Sequence, residues 1–184
     1  MWRSHTPGSL GPVTVGLARG GEGSADQPRV WMAAAVDAPA VARLLAEFRD
    51  HMGYSAPSDG SLAASVGRLV AGPDAEFWLA SGGRGRAAAV CQLRFRLSVW
   101  TAAEDCWLED LFVCAAARRR GLARALVTRS LERARERGCR RVELDTNEGN
   151  HAALRLYESL GFSATSKGPT RSLFLGVRLD RTTS

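Results

Sequence analysis

The spacing of apolar residues changes period several times along the chain, and each change marks an element. Residues 29–36 predict a strand. Asp37 follows as an N-cap with Pro39 in the first helical turn. Val41, Leu44, Leu45 and Phe48 then recur at helical spacing, with Arg43, Glu47 and Arg49 on the wet side. Residues 58–70 predict a second, short helix. Residues 75–80, a Gly-Gly-Arg-Gly turn and the β-rich stretch 87–99 read as an antiparallel hairpin, and 107–113 supplies another strand.

From residue 121 the period becomes helical again. Ala123, Leu126, Val127, Ser130, Leu131 and Ala134 share one face of a helix over 121–137, which Gly138 ends as its C′ residue. Over 141–146, Val142, Leu144 and Thr146 alternate with Arg141, Glu143 and Asp145, the pattern of a strand with one buried face. Asn150 caps a further helix that turns Ala153, Leu156, Tyr157 and Leu160 inward and stops at Gly161. Residues 172–179 read as a last strand. The order β, α, α, three-strand meander, α, β, α, β predicts an α/β (α+β) architecture, a mixed sheet with helices on both faces. No internal repeat interrupts it.

Residues 1–28, rich in Gly, Ser and Pro and without periodicity, predict a disordered tail, which leaves 29–184 as a single domain. A weakly apolar stretch at 11–18 lies between Arg3 and Arg19, but glycines and a proline break it and no cleavage site follows, so a secretory signal is not expected. The chain of 184 residues is 45% hydrophobic, enough for one ordinary core. No eighteen-residue apolar run exists to span a bilayer. Cys91, Cys106, Cys114 and Cys139 are scattered with no CxxC pair, which predicts reduced structural thiols and a cytoplasmic location. His5, His51 and His151 lack ligand spacing, so no metal is expected. The formal charge of +6 is carried almost wholly by arginine. That charge suits an acidic partner such as a phosphate group, and a solvated basic surface accounts for it equally.

One segment carries chemistry. A strand ending in Leu111, Phe112 and Val113 runs through a short turn into a helix that opens at Gly121, with Arg118, Arg119, Arg120 and Arg124 around the opening. A helix start leaves about four backbone N–H groups unpaired and carries partial positive charge, so it takes up an anion. Gly121 permits close approach to the backbone, and the arginines add charge-assisted contacts. Three consecutive arginines oppose the helix dipole unless an anion is bound there.

Two motifs in this part of the chain resemble the GNAT N-acetyltransferase superfamily. Arg118-x-x-Gly121-x-Ala123 after the strand is similar to its R/Q-x-x-G-x-G/A signature. Downstream, Asn150-x-x-Ala153-x-x-Leu156-Tyr157-x-x-Leu160-Gly161-Phe162 is similar to its second element. The resemblance covers roughly residues 29–180. It implies a central sheet of about six to seven strands and acetyl-CoA as cosubstrate, without a metal. The strand before the signature would be splayed by a bulge, so that backbone groups of Leu111, Phe112 and Val113 pair with the pantetheine arm as in β-augmentation. The pyrophosphate would rest on N–H groups of Arg119, Arg120, Gly121, Leu122, Ala123 and Arg124, and Asn150 and Tyr157 would touch the thioester end. Cys114-Ala115 departs from the usual pair after the strand and leaves the turn conformation open.

Attack of a neutral amine on a thioester gives a tetrahedral oxyanion that expels a thiolate. Positioning, oxyanion stabilisation and proton transfer therefore suffice, and no acyl-enzyme is needed. Cys114 reads as a small residue near the cofactor rather than a nucleophile. The resemblance makes Tyr157 the general acid toward the departing sulfur; a tyrosine packed on an amphipathic helix is the alternative. Glu109 and Asp110 are adjacent carboxylates in an apolar strand, and alternation sends them to opposite faces. Leu-Glu-Asp-Leu is similar to a stretch in polyamine acetyltransferases of the superfamily, which favours Glu109 as base or as a group that attracts a cationic amine; a salt bridge to a covering helix competes. Trp100 and Trp107 line an acceptor pocket or belong to the core.

The function expected is transfer of an acetyl group from acetyl-CoA to a primary amine of a small molecule or peptide through a ternary complex. A small cationic amine is favoured over a protein N-terminus or lysine, and a homodimer is compatible. An acyl-CoA-binding sensor of the same fold without catalysis is the alternative. A nucleic-acid module built on the arginines is disfavoured because no aromatic residues interleave with them as a stacking platform. The acceptor loops, 52–61, 97–105 and 163–171, carry no readable selectivity.

Overall fold

The structure, a computed structural model, describes residues 27–164. Strand β1 (Pro28–Met32) leads through a 3-10 turn (Ala35–Asp37) to helices α1 (Ala38–His51) and α2 (Asp59–Val70). Strands β2 (Ala75–Gly82), β3 (Ala89–Ser98) and β4 (Ala103–Val113) form the meander. A second 3-10 turn (Ala115–Ala117), helix α3 (Leu122–Glu136), strand β5 (Val142–Glu143) and helix α4 (His151–Glu158) complete it. The sheet runs β1-β2-β3-β4-β5; the first four strands are antiparallel to their neighbours and β5 is parallel to β4.

The sheet is covered on both faces, which is why β2 is apolar on consecutive residues instead of alternating. Phe77 and Leu79 of β2, Val90 of β3 and Phe112 of β4 pack with Val41 and Leu44 of α1 and Val66 of α2. Trp78, Ala80, Ala89, Cys91, Leu93, Cys106 and Leu108 pack with Leu122, Leu126 and Val127 of α3 and Tyr157 of α4 on the opposite face. Burial of each large aliphatic side chain contributes about 1.5–3 kcal/mol before chain entropy is counted. The expected mixed sheet with helices on both faces is therefore present.

Several boundaries differ from the pattern. β1 starts at Pro28, opposite Gly82, and stops at Met32, because Ala35–Asp37 closes a tight turn. Asp37 precedes α1 but caps nothing in it; its carboxylate turns back to accept from the Ala34 N–H at 3.0 Å and the Trp31 indole at 3.4 Å. Ser58 does cap α2, accepting from the Ser61 N–H at 3.3 Å. The strand expected over 141–146 shrinks to β5, since only Val142 and Glu143 find ladder partners. Among the described residues the sheet has five strands against the six to seven implied. The strand expected at 172–179 and nearly all of the expected tail lie outside those residues. No helix among them is long and apolar enough to cross a membrane.

Candidate functional site

β4 and β5 run side by side only through Cys106 opposite Val142 and Trp107 opposite Glu143. Farther along, Leu111, Phe112 and Val113 keep Cys91, Val90 and Ala89 of β3 on one side, while their other edge has no ladder partner among the described residues. A bulge accompanies the parting. Gln92 stands opposite Asp110 and Leu93 opposite Leu108, so Glu109 is an extra residue in β4. Cys106 and Leu108 belong to the α3-side core, and so do Leu111 and Val113, whereas Phe112 belongs to the other. The parity of the residues packed on the α3 side thus flips across the bulge. The two carboxylates meet different neighbours: Glu109 contacts Gln92 and Arg94, whereas Asp110 is influenced by Asp145 and itself acts on Cys91.

Glu109 is half-exposed, accepts from Gln92 Nε2 at 3.2 Å and lies 3.9 Å from an Arg94 guanidinium nitrogen. Asp110 is the more sheltered of the pair. Burial first, then the charges of Glu109 and Asp145, push its carboxyl up to about 6. Asp145, just past β5, also acts on Tyr157, so it bears on both flanks of the parted edge.

At the end of β4 the chain makes its turn. Arg119 takes φ 65° and Gly121 φ 78°, both left-handed, so the backbone curls twice before α3 begins. Glycine meets that requirement at no steric cost; the arginine does not, and its strain is held by the surrounding turn. The first helical bond runs from the Ala125 N–H to the Gly121 carbonyl at 3.0 Å. The N–H groups of Leu122, Ala123 and Arg124 therefore precede the helical ladder. No side chain caps them, and the first turn carries no acidic residue. A cavity of about 390 Å³ opens beside them, lined by Val113, Ala117, Arg118, Arg119, Gly121, Leu122, Ala123, Arg124 and Leu156.

The arginines do not act alike. Arg118 Nε donates to the Val113 carbonyl at 3.2 Å and its Nη2 reaches His51 Nε2 at 3.2 Å. Arg124 Nη2 donates to Ser159 Oγ at 2.8 Å, tying α3 to the end of α4. Arg120 packs across Gly82, where an added Cβ would come within 3.0 Å of its Nη2. Arg119 forms no side-chain hydrogen bond or ion pair among the described residues.

Asn150 caps α4, its Oδ1 accepting from the Ala153 N–H at 3.3 Å. Tyr157 is buried, with its ring edge-on to Phe162 at 5.6 Å. Burial, with smaller contributions from Cys91 and Asp145, pushes the phenol up to about 12. The turn residues and Val113 thus share one cavity. Glu109, Leu111, Phe112, Arg120, Asn150 and Tyr157 lie outside its lining, and the Phe112 ring stacks on Phe48 in the opposite core at 5.3 Å. Cys114 donates to Glu47 Oε2 at 3.0 Å, and burial followed by Glu47 pushes its thiol up, which disfavours a thiolate nucleophile.

Sequence reasoning overlooked Asp145 and the flank of α1 formed by Arg43, Glu47 and His51. The spacing i, i+4, i+8 was the available signal for that flank, but it reads as a solvated face until the turn after β4 is placed against it.

Comparison with known proteins agrees with this geometry. The family model for the acetyltransferase (GNAT) family matches residues 42–162. The aminoglycoside N(6')-acetyltransferase type 1 of Serratia marcescens is 28% identical over 107 residues, which cover 56% of this chain and 73% of that protein. A candidate acetyltransferase of Arthrobacter sp. FB24 superposes with a TM-score of 0.74 at 28% identity, covering 88% of this chain and all of that one. Aminoglycoside N-acetyltransferase AAC(6')-Iy, solved with CoA, shares the fold with a TM-score of 0.67 at 18% identity, over 84% of this chain and 97% of its own.

Proposed function

Since the chain belongs to the acetyltransferase (GNAT) family, we propose that it moves an acetyl group from acetyl-CoA to a primary amine by direct attack within a ternary complex. The observation that carries this reading is the open start of α3: N–H groups of Leu122, Ala123 and Arg124 with no cap and no acidic neighbour, beside a cavity walled by arginine. Such a site suits a pyrophosphate. The edge at Leu111, Phe112 and Val113, without a ladder partner among the described residues, suits the amides of a pantetheine arm.

Bound there, acetyl-CoA supplies the acetyl thioester and a thiolate leaving group. Backbone N–H groups of residues 119–124 hold the phosphates, and Asn150 stands at the start of α4 toward the thioester end. Tyr157 remains protonated throughout the neutral range because burial raises its phenol to about 12. Full proton transfer from such a phenol to a free thiolate is uphill by roughly 3 pKa units. Tyr157 therefore serves as an O–H donor that stabilises charge developing on sulfur while keeping its own proton.

Glu109, carried out of the ladder by the bulge and half-exposed, faces the acceptor and takes the ammonium proton directly or through water. A carboxylate on the acceptor side favours a small cationic amine. The Serratia relative, named for an aminoglycoside, points the same way.

Calorimetric titration of acetyl-CoA into the purified protein tests the reading. Binding at one site per chain in the micromolar range is expected, abolished by Gly121→Glu and retained by Gly121→Asn, a residue that tolerates the left-handed backbone. A folded wild-type chain that binds no acetyl-CoA would overturn it.

A further inference from the structure

One flank of α1 runs along the turn that follows β4. Arg43 Nη2 donates to the Ala87 carbonyl at 2.7 Å, Glu47 accepts from Cys114 at 3.0 Å, and His51 meets Arg118 at 3.2 Å. These residues recur every four positions, so a single helix face spans from the start of β3 to the arginine that opens the turn. Phe48, between them, stacks on Phe112, and the His51 ring lies 6.1 Å from that same ring.

The last contact has a definite chemistry. A guanidinium has donors only, so His51 Nε2 must be the acceptor and the ring must be neutral with its proton on Nδ1. Arg118 is thereby held at two points, by His51 through Nη2 and by the Val113 carbonyl through Nε. Its side chain, part of the cavity wall, thus also bridges the end of β4 to α1. A protonated imidazole has no acceptor left and adds a second cation beside the guanidinium, so proton uptake by His51 opens the clasp. Arg118 from the turn contacts the ring; on α1 the nearest carboxylates along the chain are Asp50, next in sequence, and Glu47, one helical turn back. Glu47 is engaged with Arg43 and Cys114, and Asp50 with Arg49. Among the described residues no carboxylate hydrogen-bonds the ring to offset the repulsion.

We propose that His51 is a positioning residue for the acetyl-CoA site. Through Arg118 it pins the turn in the arc that presents the N–H groups of residues 119–124, and its protonation loosens the grip on the pyrophosphate. The proposal rests on the reading that this turn holds the pyrophosphate.

The test is the dissociation constant for CoA of the wild-type chain, His51→Gln and His51→Leu, measured calorimetrically at about pH 7.5 and about pH 5.5, the span over which imidazoles titrate. Glutamine offers an acceptor that never protonates; leucine offers none. At the higher pH, His51→Leu is expected to weaken binding roughly fivefold, the size of one net hydrogen bond, with His51→Gln within about twofold of wild type. At the lower pH, wild type is expected to approach the leucine variant while the glutamine variant holds its advantage. Protonation of CoA's own phosphate affects all three equally and cancels in the comparison. Wild-type binding that neither substitution changes, or one pH response shared by wild type and the glutamine variant, overturns the proposal alone. A folded wild-type chain that binds no CoA overturns the site reading together with it.

Discussion

Tyr157 shows how burial selects a role for a single side chain. Its phenol sits in the α3-side core with no hydrogen-bond partner among the described residues and stays protonated. Tyr157→Phe removes one oxygen and no packing volume. It is expected to lower kcat by about 10- to 100-fold while the dissociation constant for acetyl-CoA moves less than about twofold; unchanged turnover would withdraw the tyrosine from the chemistry. The neighbouring carboxylates separate in a different measurement. Asp110 titrates near 6 in the folded chain, above the unfolded value of 3.8. The folded state therefore holds the proton more tightly, and the stabilisation, full below the unfolded value, is lost as pH rises through about 6. Asp110→Asn is expected to raise stability above that range by up to about 3 kcal/mol and to flatten its pH dependence, as read by urea unfolding at a series of pH values. Glu109→Gln instead is expected to shift the activity profile toward higher pH. An unmoved profile would leave Glu109 with a binding role only. The adjacency of the two carboxylates was plain from the residues, but their division of labour was not, because it depends on which one the bulge exposes.

Within α3 the two ends meet opposite electrostatic conditions. Its last turns carry basic residues where the dipole favours them, and these reach the sheet. Arg133 donates to both oxygens of Glu76, with contacts of 2.8–3.0 Å, and Arg137 grips Glu104 at 2.9 Å through two nitrogens. Just beyond, Arg141 holds Asp105 at 2.7 and 3.0 Å, and Asp105 is only 1% exposed. Burial alone would raise that carboxyl, yet Arg141, Ser98 and Thr101 together keep it below its ordinary value. Arg141→Met leaves a sheltered carboxylate without its main partner and is expected to lower the urea midpoint and raise the Asp105 carboxyl toward its ordinary value. An unchanged midpoint would show that Ser98 and Thr101 suffice. At the other end the arginines face an uncapped helix start, an arrangement that favours an anion. Helix α3 was legible because its period and its Gly121 and Gly138 boundaries are local. β5 was not, since a strand is as long as its partner allows and β4 leaves it after Trp107.

Across the whole molecule, the two cores on opposite faces of one sheet follow from the alternation of periods along the chain, which is why the architecture could be written down before any coordinate. The motif residues Arg118, Gly121, Ala123, Asn150 and Tyr157 were also recognisable in order and spacing. The bulge came only from the family resemblance, since residues 106–108 and 111–113 are apolar at every position and show no change of parity. What the chain determined alone is therefore what depends on near neighbours: helix faces, the Asn150 cap and the left-handed glycine before α3. The parting of β4 from β5, the exposure of Glu109 over Asp110, and the contact of Arg118 with a histidine 67 residues earlier were decided by the tertiary structure. Each is a relation between segments that no local period encodes, and each exists only once packing has brought those segments to one end of the sheet.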